Sequence, residues 1–272
     1  MEQMNTQRGA TWLRLLANGA APAHDSPSVK ACDAQLAGQP ARYIAVVPDP
    51  AGRFPRARAG EVGLVEGWQL ARAVQEVVAM DREAAVKRPI VAVIDVPSQA
   101  YGQREEAYGI HQALAGAAGA YAEARLAGHP VIGLVVGLAM SGAFLAHGYQ
   151  ANRLVALDDP GVMVHAMGKA SAARVTLRSV EALEKLAASV PPMAYDIGNY
   201  ASLGILWEVL QVSDPAQPNE VDLALVRHTL EAALADILQD TARDLSGRLH
   251  GKHRQASRRV RELLATQWEA AT

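Results

Sequence analysis

The stretch PVIGLVVGLAMSGAFLAHG, Pro130–Gly148, decides how the rest of the chain is read. It contains no Asp, Glu, Lys or Arg. An apolar run leads through Ser141, Gly142 and Ala143 straight into a helical pattern. An apolar run without alternation suits a strand covered on both faces, as in a parallel sheet. A small-residue turn at a helix start leaves backbone N–H groups unpaired, and such groups can hold developing negative charge. Small residues also let a helix pack close to a sheet. On physics alone, anion binding and close packing both stand.

Working outward, strands are expected at Arg42–Pro48, Pro89–Val96, Val131–Gly137, Arg153–Leu157 and Val162–His165. Helices are expected over Glu61–Val86, Arg104–Gly128, from Ser141 to about Gln150, Glu220–Asp244 and Arg254–Ala270, with two or three short ones between Lys169 and Gln211. Strands alternating with helices give an α/β class with a largely parallel sheet. Ligands of such sheets bind beyond the carboxyl ends of the strands. That points to two loops, Pro97–Gly102 and Gly137–Phe144, which are expected side by side. An exposed helix is expected around Thr11–Ala17 and a polar linker at Pro22–Ser28. The chain divides into a helical and linker segment (1–40), a core (41–212) and C-terminal helices (213–272).

Composition removes several function classes. The 272 residues carry 26 Lys and Arg against 28 Asp and Glu, which favours neither nucleic acid nor an anionic membrane. The uncharged stretch Leu126–Asn152 is broken by proline, glycines and two histidines, so it reads as soluble core rather than a membrane span. From Gln3 to His24 there are two arginines and no acid; this weakly transit-like pattern reads as an ordinary N-terminal helix. A single cysteine, Cys32, rules out an internal disulfide and suits a reducing, cytoplasmic setting. The glycines make neither G-x-G-x-x-G nor a phosphate-binding P-loop. Ser141 lacks the flanking glycines of a nucleophile elbow and reads as a helix N-cap. His129, His147 and His165 lack metal-ligand spacing and read as structural, so no metal is expected. Glu105 and Glu106 read as a solvated helix start.

The loop DVPSQAYGQREEAYG (Asp95–Gly109), a long Ala/Gly helix, and HPVIGLVVGLAMSGAF (His129–Phe144) resemble the carboxyl half of acyl-CoA carboxyltransferases of the crotonase superfamily. The segment RFPRARAGEVGLVEGW (Arg53–Trp68) is similar to gamma subunits of biotin-independent malonate decarboxylases. The resemblance covers about Arg42 to Gln211. It implies a crotonase-like (ClpP/crotonase) superhelix of β-β-α units with a helical C-terminal extension. It also implies an obligate heterodimer with a homologous beta subunit. Its reaction is decarboxylation of a malonyl thioester on an acyl carrier protein, through an enolate, to the acetyl thioester and CO2. The thiol belongs to a coenzyme-A-like phosphopantetheine group on the carrier. An alpha subunit exchanges acetyl for malonyl, no cofactor is bound directly, and no biotin takes part. The alternatives are a carboxyltransferase subunit of a biotin-dependent enzyme, and a scaffold that only completes its partner's site.

By position, Gly142 and Ala143 match the oxyanion-hole turn of the family's G-G-A motif. Ser98 and Gln99 stand where the family has Gly-Phe, which supplies the partner amide of that turn; in carboxyltransferases, the resemblance implies, the second hole faces the biotin ureido oxygen. That departure fits an enzyme with no biotin to hold. Ser141, Tyr101 and Phe144 are the expected substrate contacts. An acidic carrier would need a basic patch, for which Arg53, Arg56 and Arg58 are candidates, with Lys252–Arg261 a second.

Overall fold

Two buried parallel strands form the centre of the computed structural model, which describes residues 8–24 and 26–271. They are β4 (Ile90–Val96) and β5 (Val131–Met140), the two apolar runs of the sequence, and every residue of both is buried. Before them come α1 (Arg8–Leu16), β1 (Pro22–His24), β2 (Val29–Leu36), β3 (Gln39–Val46) and α2 (Leu64–Met80). After β4 come α3 (Gln103–Ala107) and α4 (Ile110–Leu126). After β5 come α5 (Ser141–Ala146), β6 (Arg153–Leu157), β7 (Met163–His165), α6 (Lys169–Val175), α7 (Val180–Ala187), α8 (Ile197–Ser202), β8 (Glu208–Leu210), α9 (Glu220–Gln239) and α10 (Gln255–Ala271).

The sheet order is β1-β2-β3-β4-β5-β6-β8, parallel from β3 onward. β5 has two neighbours on one side: its first half pairs with β6, its last three residues with β7. One long strand thus serves two short ones. α2 and α4 pack closely because Gly67 meets the Ala113 backbone, where a Cβ would stand only 2.7 Å from the Ala113 carbonyl. No helix among the described residues is long and apolar enough to cross a membrane.

Several expectations need correction. Pro22–Ser28 is not simply a linker, because Pro22–His24 forms a strand; Asp25 lies outside the described residues, as does Gln3–Gln7 of the arginine-bearing N-terminal stretch. β2 and β3 form an antiparallel hairpin through Ala37 and Gly38, at φ 50° and 75°. Both turn residues are left-handed, as a two-residue hairpin turn requires. Arg42, 2% exposed, closes the hairpin by donating to Asp33 at 2.6 and 3.0 Å. α1 is not exposed: Trp12, Leu13 and Leu16 are buried, and the Trp12 indole N–H donates to the Pro215 carbonyl. The Arg104–Gly128 helix is two helices, parted at Gly109 with φ 80°. α5 ends at Ala146, and β8 was not foreseen. α9 buries Val226, Leu230, Ala233, Leu234 and Ile237 against the sheet, whereas α10 is exposed over residues 259–270.

Candidate functional site

The site begins with one charge in an apolar run. Asp95 is 2% exposed, and burial raises its carboxyl above the usual range. Its oxygens accept from the Leu138 N–H at 3.0 Å and the Gly9 N–H at 3.2 Å. The register between β4 and β5 slips here, with Ile94 opposite Val135 but Val96 opposite Ala139. The extra residues on β5 form a bulge, and such a bulge re-aims a strand end. Asp95 satisfies the bulge's Leu138 N–H, while Arg8, paired with Asp159 at 2.7 Å, reaches the Val136 carbonyl. Gly137 must lack a side chain, since a Cβ would stand 2.6 Å from the Asp95 carboxyl carbon. The N-terminal helix therefore braces the strand that carries the turn.

At the end of β5, Ser141 adopts φ 60°, a left-handed conformation that costs an L-residue about 1–2 kcal/mol. It is not the N-cap: Met140 takes that place, with extended backbone, and no side chain caps the helix. Gly142 donates its N–H to Gln99 Oε1 at 2.6 Å. A Cβ on Gly142 would lie 2.5 Å from that oxygen, so glycine is what permits the approach. Ala143 is fully buried, and its N–H falls in the first turn of α5, where no intrahelical acceptor exists. Phe144 is 4% exposed and meets the Tyr149 ring edge-on at 5.3 Å, so it is floor rather than flexible contact.

The facing loop is pinned by a parallel bridge between Val62 and Gln99. Val62 donates to the Ser98 carbonyl and accepts from the Ala100 N–H. In that pairing Gln99 turns its own backbone groups to the opposite edge. The Ser98 hydroxyl donates to the Gln99 carbonyl at 2.9 Å. Tyr101 is exposed and lies on the far side of the loop. A cavity of about 670 Å³ opens over the turn, lined by Gln99, Ser141, Gly142, Phe144 and Leu145. Its other wall comes from Val164–Ala166, Pro191–Ala194, Tyr200, Leu203 and Ile205. A smaller cavity of about 250 Å³ lies behind the loop, lined by Arg56, Glu61, Ser98, Gln99 and Tyr101. Gln99 is thus the partition between the two.

His165 is the imidazole of the larger cavity, which sequence reasoning set aside as structural. Its register partner is Met140, one residue before the turn, a pairing that only the assembled sheet reveals. The ring stacks on Tyr195 at 3.9 Å, and Nδ1 lies 3.0 Å from the Met167 carbonyl. Burial lowers its pKa. His147 is structural: fully buried, it sits between the Tyr121 hydroxyl and the Val93 carbonyl, each at 3.0 Å. His129 is also buried, with Nδ1 2.9 Å from the Arg88 carbonyl. Glu105 is buried beside Gly102 and Arg56 rather than solvated, while Glu106 is exposed. Arg53 and Arg104 lie over the Phe54 ring at 5.5 and 5.3 Å, and Arg58 donates to the Gly52 carbonyl. No group of His, Cys, Asp and Glu able to hold a metal occurs among the described residues.

The sheet order and the bulged strand ending in a small-residue turn belong to a crotonase-like fold. Transcarboxylase 12S shares it at 20% identity over 87% of this chain and 42% of that one, with a TM-score of 0.63. Residues 57–268 match the malonate decarboxylase gamma subunit family, and the chain belongs to that family. It is 65% identical to a chain of a Pseudomonas malonate decarboxylase hetero-tetramer in complex with coenzyme A, with a TM-score of 0.92, covering 96% of this chain and 99% of that one. A chain of the Pseudomonas MdcD-MdcE hetero-dimer matches at 63% identity and TM-score 0.89, with the same coverage. A Malonomonas rubra malonyl-S-ACP:biotin-protein carboxyltransferase is 38% identical over 165 residues, 60% of this chain and 56% of that protein's length.

Proposed function

We propose that this chain, joined to a homologous beta subunit, decarboxylates a malonyl thioester carried on the phosphopantetheine group of an acyl carrier protein. The products are CO2 and the acetyl thioester, and a separate alpha subunit reloads malonyl. The setting is cytoplasmic. One observation carries the reading: the Gly142 N–H is aimed at a carbonyl oxygen 2.6 Å away. The turn is a donor site already loaded with an acceptor.

Loss of CO2 from a malonyl thioester needs no base. The carbon–carbon bond breaks, its electron pair becomes an enolate, and a proton then adds to carbon. The protein must hold the oxygens and set the carboxylate out of plane. The Ala143 N–H and the Gln99 carboxamide, fixed by Gly142, are the donors this chain brings, with the Ser141 and Ser98 hydroxyls beside them. Phe144 forms the floor. Tyr101 and Arg56 shape the smaller cavity on the carrier side, with Arg53 and Arg58 as carrier contacts. Val260, Leu263, Leu264 and Trp268 project from one exposed face of α10, and that face suits the beta subunit. The test is Gly142→Pro in the assembled complex. Removing the N–H that orients the Gln99 carboxamide, and distorting the turn that carries the Ala143 donor, should lower decarboxylation about 100-fold with assembly intact. Full turnover in an assembled variant would leave this chain a scaffold.

A further inference from the structure

Gln99 decides where the carboxyl group can go. Only an oxygen acceptor satisfies the Gly142 N–H, so the carboxamide is oriented with Oε1 on the turn at 2.6 Å. Its backbone cannot drift, because Ser98 and Ala100 on either side are hydrogen-bonded to Val62. Gln99 also partitions the two cavities. A group that accepts a carboxyl through nitrogen, a cyclic urea such as biotin, must bring that nitrogen against the malonyl carboxylate. Its carbonyl oxygen then needs an N–H donor to hold the charge that develops as nitrogen attacks. At this turn the donor is Gly142, and a tethered amide oxygen already has it. A tethered group competes at high effective concentration against one arriving from solution.

We infer that the Gln99 carboxamide is a built-in plug that excludes a urea-type carboxyl acceptor, so that the carboxyl group leaves as free CO2. This rests on the decarboxylase reading above and adds what sets its outcome. With the plug removed, transfer balances as follows. The malonyl carbon–carbon bond breaks and leaves its electron pair on the enolate. The carboxyl carbon forms a bond to the ureido nitrogen, and the proton displaced from that nitrogen ends on the enolate carbon. The products are acetyl thioester and carboxybiotin, and no other reactant is needed.

The experiment uses the complex with its beta subunit and free biotin as probe. Biotin binding is followed by saturation-transfer NMR, and carboxybiotin by label from carboxyl-labelled malonate. Gln99→Ala opens the position and should tighten biotin about tenfold, the worth of one sheltered hydrogen bond. The Ala variant also loses a donor to the enolate, so carboxybiotin is read per malonyl carboxyl released, and that fraction should exceed the parental one. Gln99→Glu keeps an acceptor oxygen of the same reach on Gly142 and should exclude biotin as the parent does. Equal biotin affinity in the parent and the Ala variant overturns the plug, as does equal affinity in the Ala and Glu variants. The binding arm does not depend on turnover. If the parental complex releases no CO2, the decarboxylase reading fails, while the binding comparison still judges the plug.

Discussion

The two walls of the large cavity are made differently. The β5 wall is covered on both faces, and its bulge is held by the buried Asp95 carboxylate and by Arg8. The opposite wall, between β7 and β8, includes short helices around a small cluster of Ala172, Ala173 and Leu183. Met167, Val180 and Met193 pack on that cluster. Buried polar bonds in a packed core fix atoms closely, whereas a few apolar contacts on short helices do not. The Gly142 and Ala143 amides therefore sit on the stiff wall, and the softer wall shapes the space over them.

The comparison can be broken first at Gly137. Gly137→Val drives a side chain into the Asp95 carboxylate, so unfolding should show a loss of at least about 3 kcal/mol. Parental stability in that variant would mean the bulge gives way easily. A second test is the pH dependence set by His147. Burial pushes its pKa from 6.5 down to about 4, so the folded state keeps it neutral. Its contribution is complete above about pH 6.5 and is lost as pH falls through 4, an effect of about 3 kcal/mol. His147→Gln should flatten this part of the stability profile between pH 7 and 4 relative to the parent. An identical profile would show that His147 is free to protonate in the fold.

On the softer wall, Leu183→Ala should cost about 2 kcal/mol and act locally. Hydrogen exchange should quicken over residues 169–199 and stay unchanged over 131–140. Equal change in both regions would make the walls one cooperative unit. The smallest effect is at the turn. Ser141→Gly relieves the left-handed backbone and should stabilise by about 1 kcal/mol, read as a raised Tm. A lowered Tm would mean that the hydroxyl makes up for the strain.

Most of the parallel sheet was legible because β4 and β5 are continuous apolar runs. The β2–β3 hairpin was not, because its turn uses Ala37 at positive φ in place of the usual Asn or Asp. The buried face of α1 was missed because an amphipathic helix does not announce what covers it. Gly142 and Gln99 were both singled out in sequence, as amide donors matched to a motif. That the Gln99 side chain would occupy the Gly142 N–H was visible in neither loop alone. His165 was passed over because nothing local distinguishes it; its importance lies in pairing with Met140 across β5 and β7.

The sequence by itself determined the class, the two central strands, the position of the small-residue turn and the family. Those properties reside in local pattern: apolar continuity, glycine placement and short motifs within single loops. Tertiary structure alone decided that Arg8 and Asp95 brace the turn, that Ser141 is strained rather than capping, and that Gln99 fills the place of a ligand. Each depends on groups between 43 and 128 residues apart meeting within hydrogen-bond distance or, for Ser141, on the bulge that bends β5 into the turn. Hydrogen bonds act over a few ångströms of space, and chain separation says nothing of that distance until the sheet is assembled.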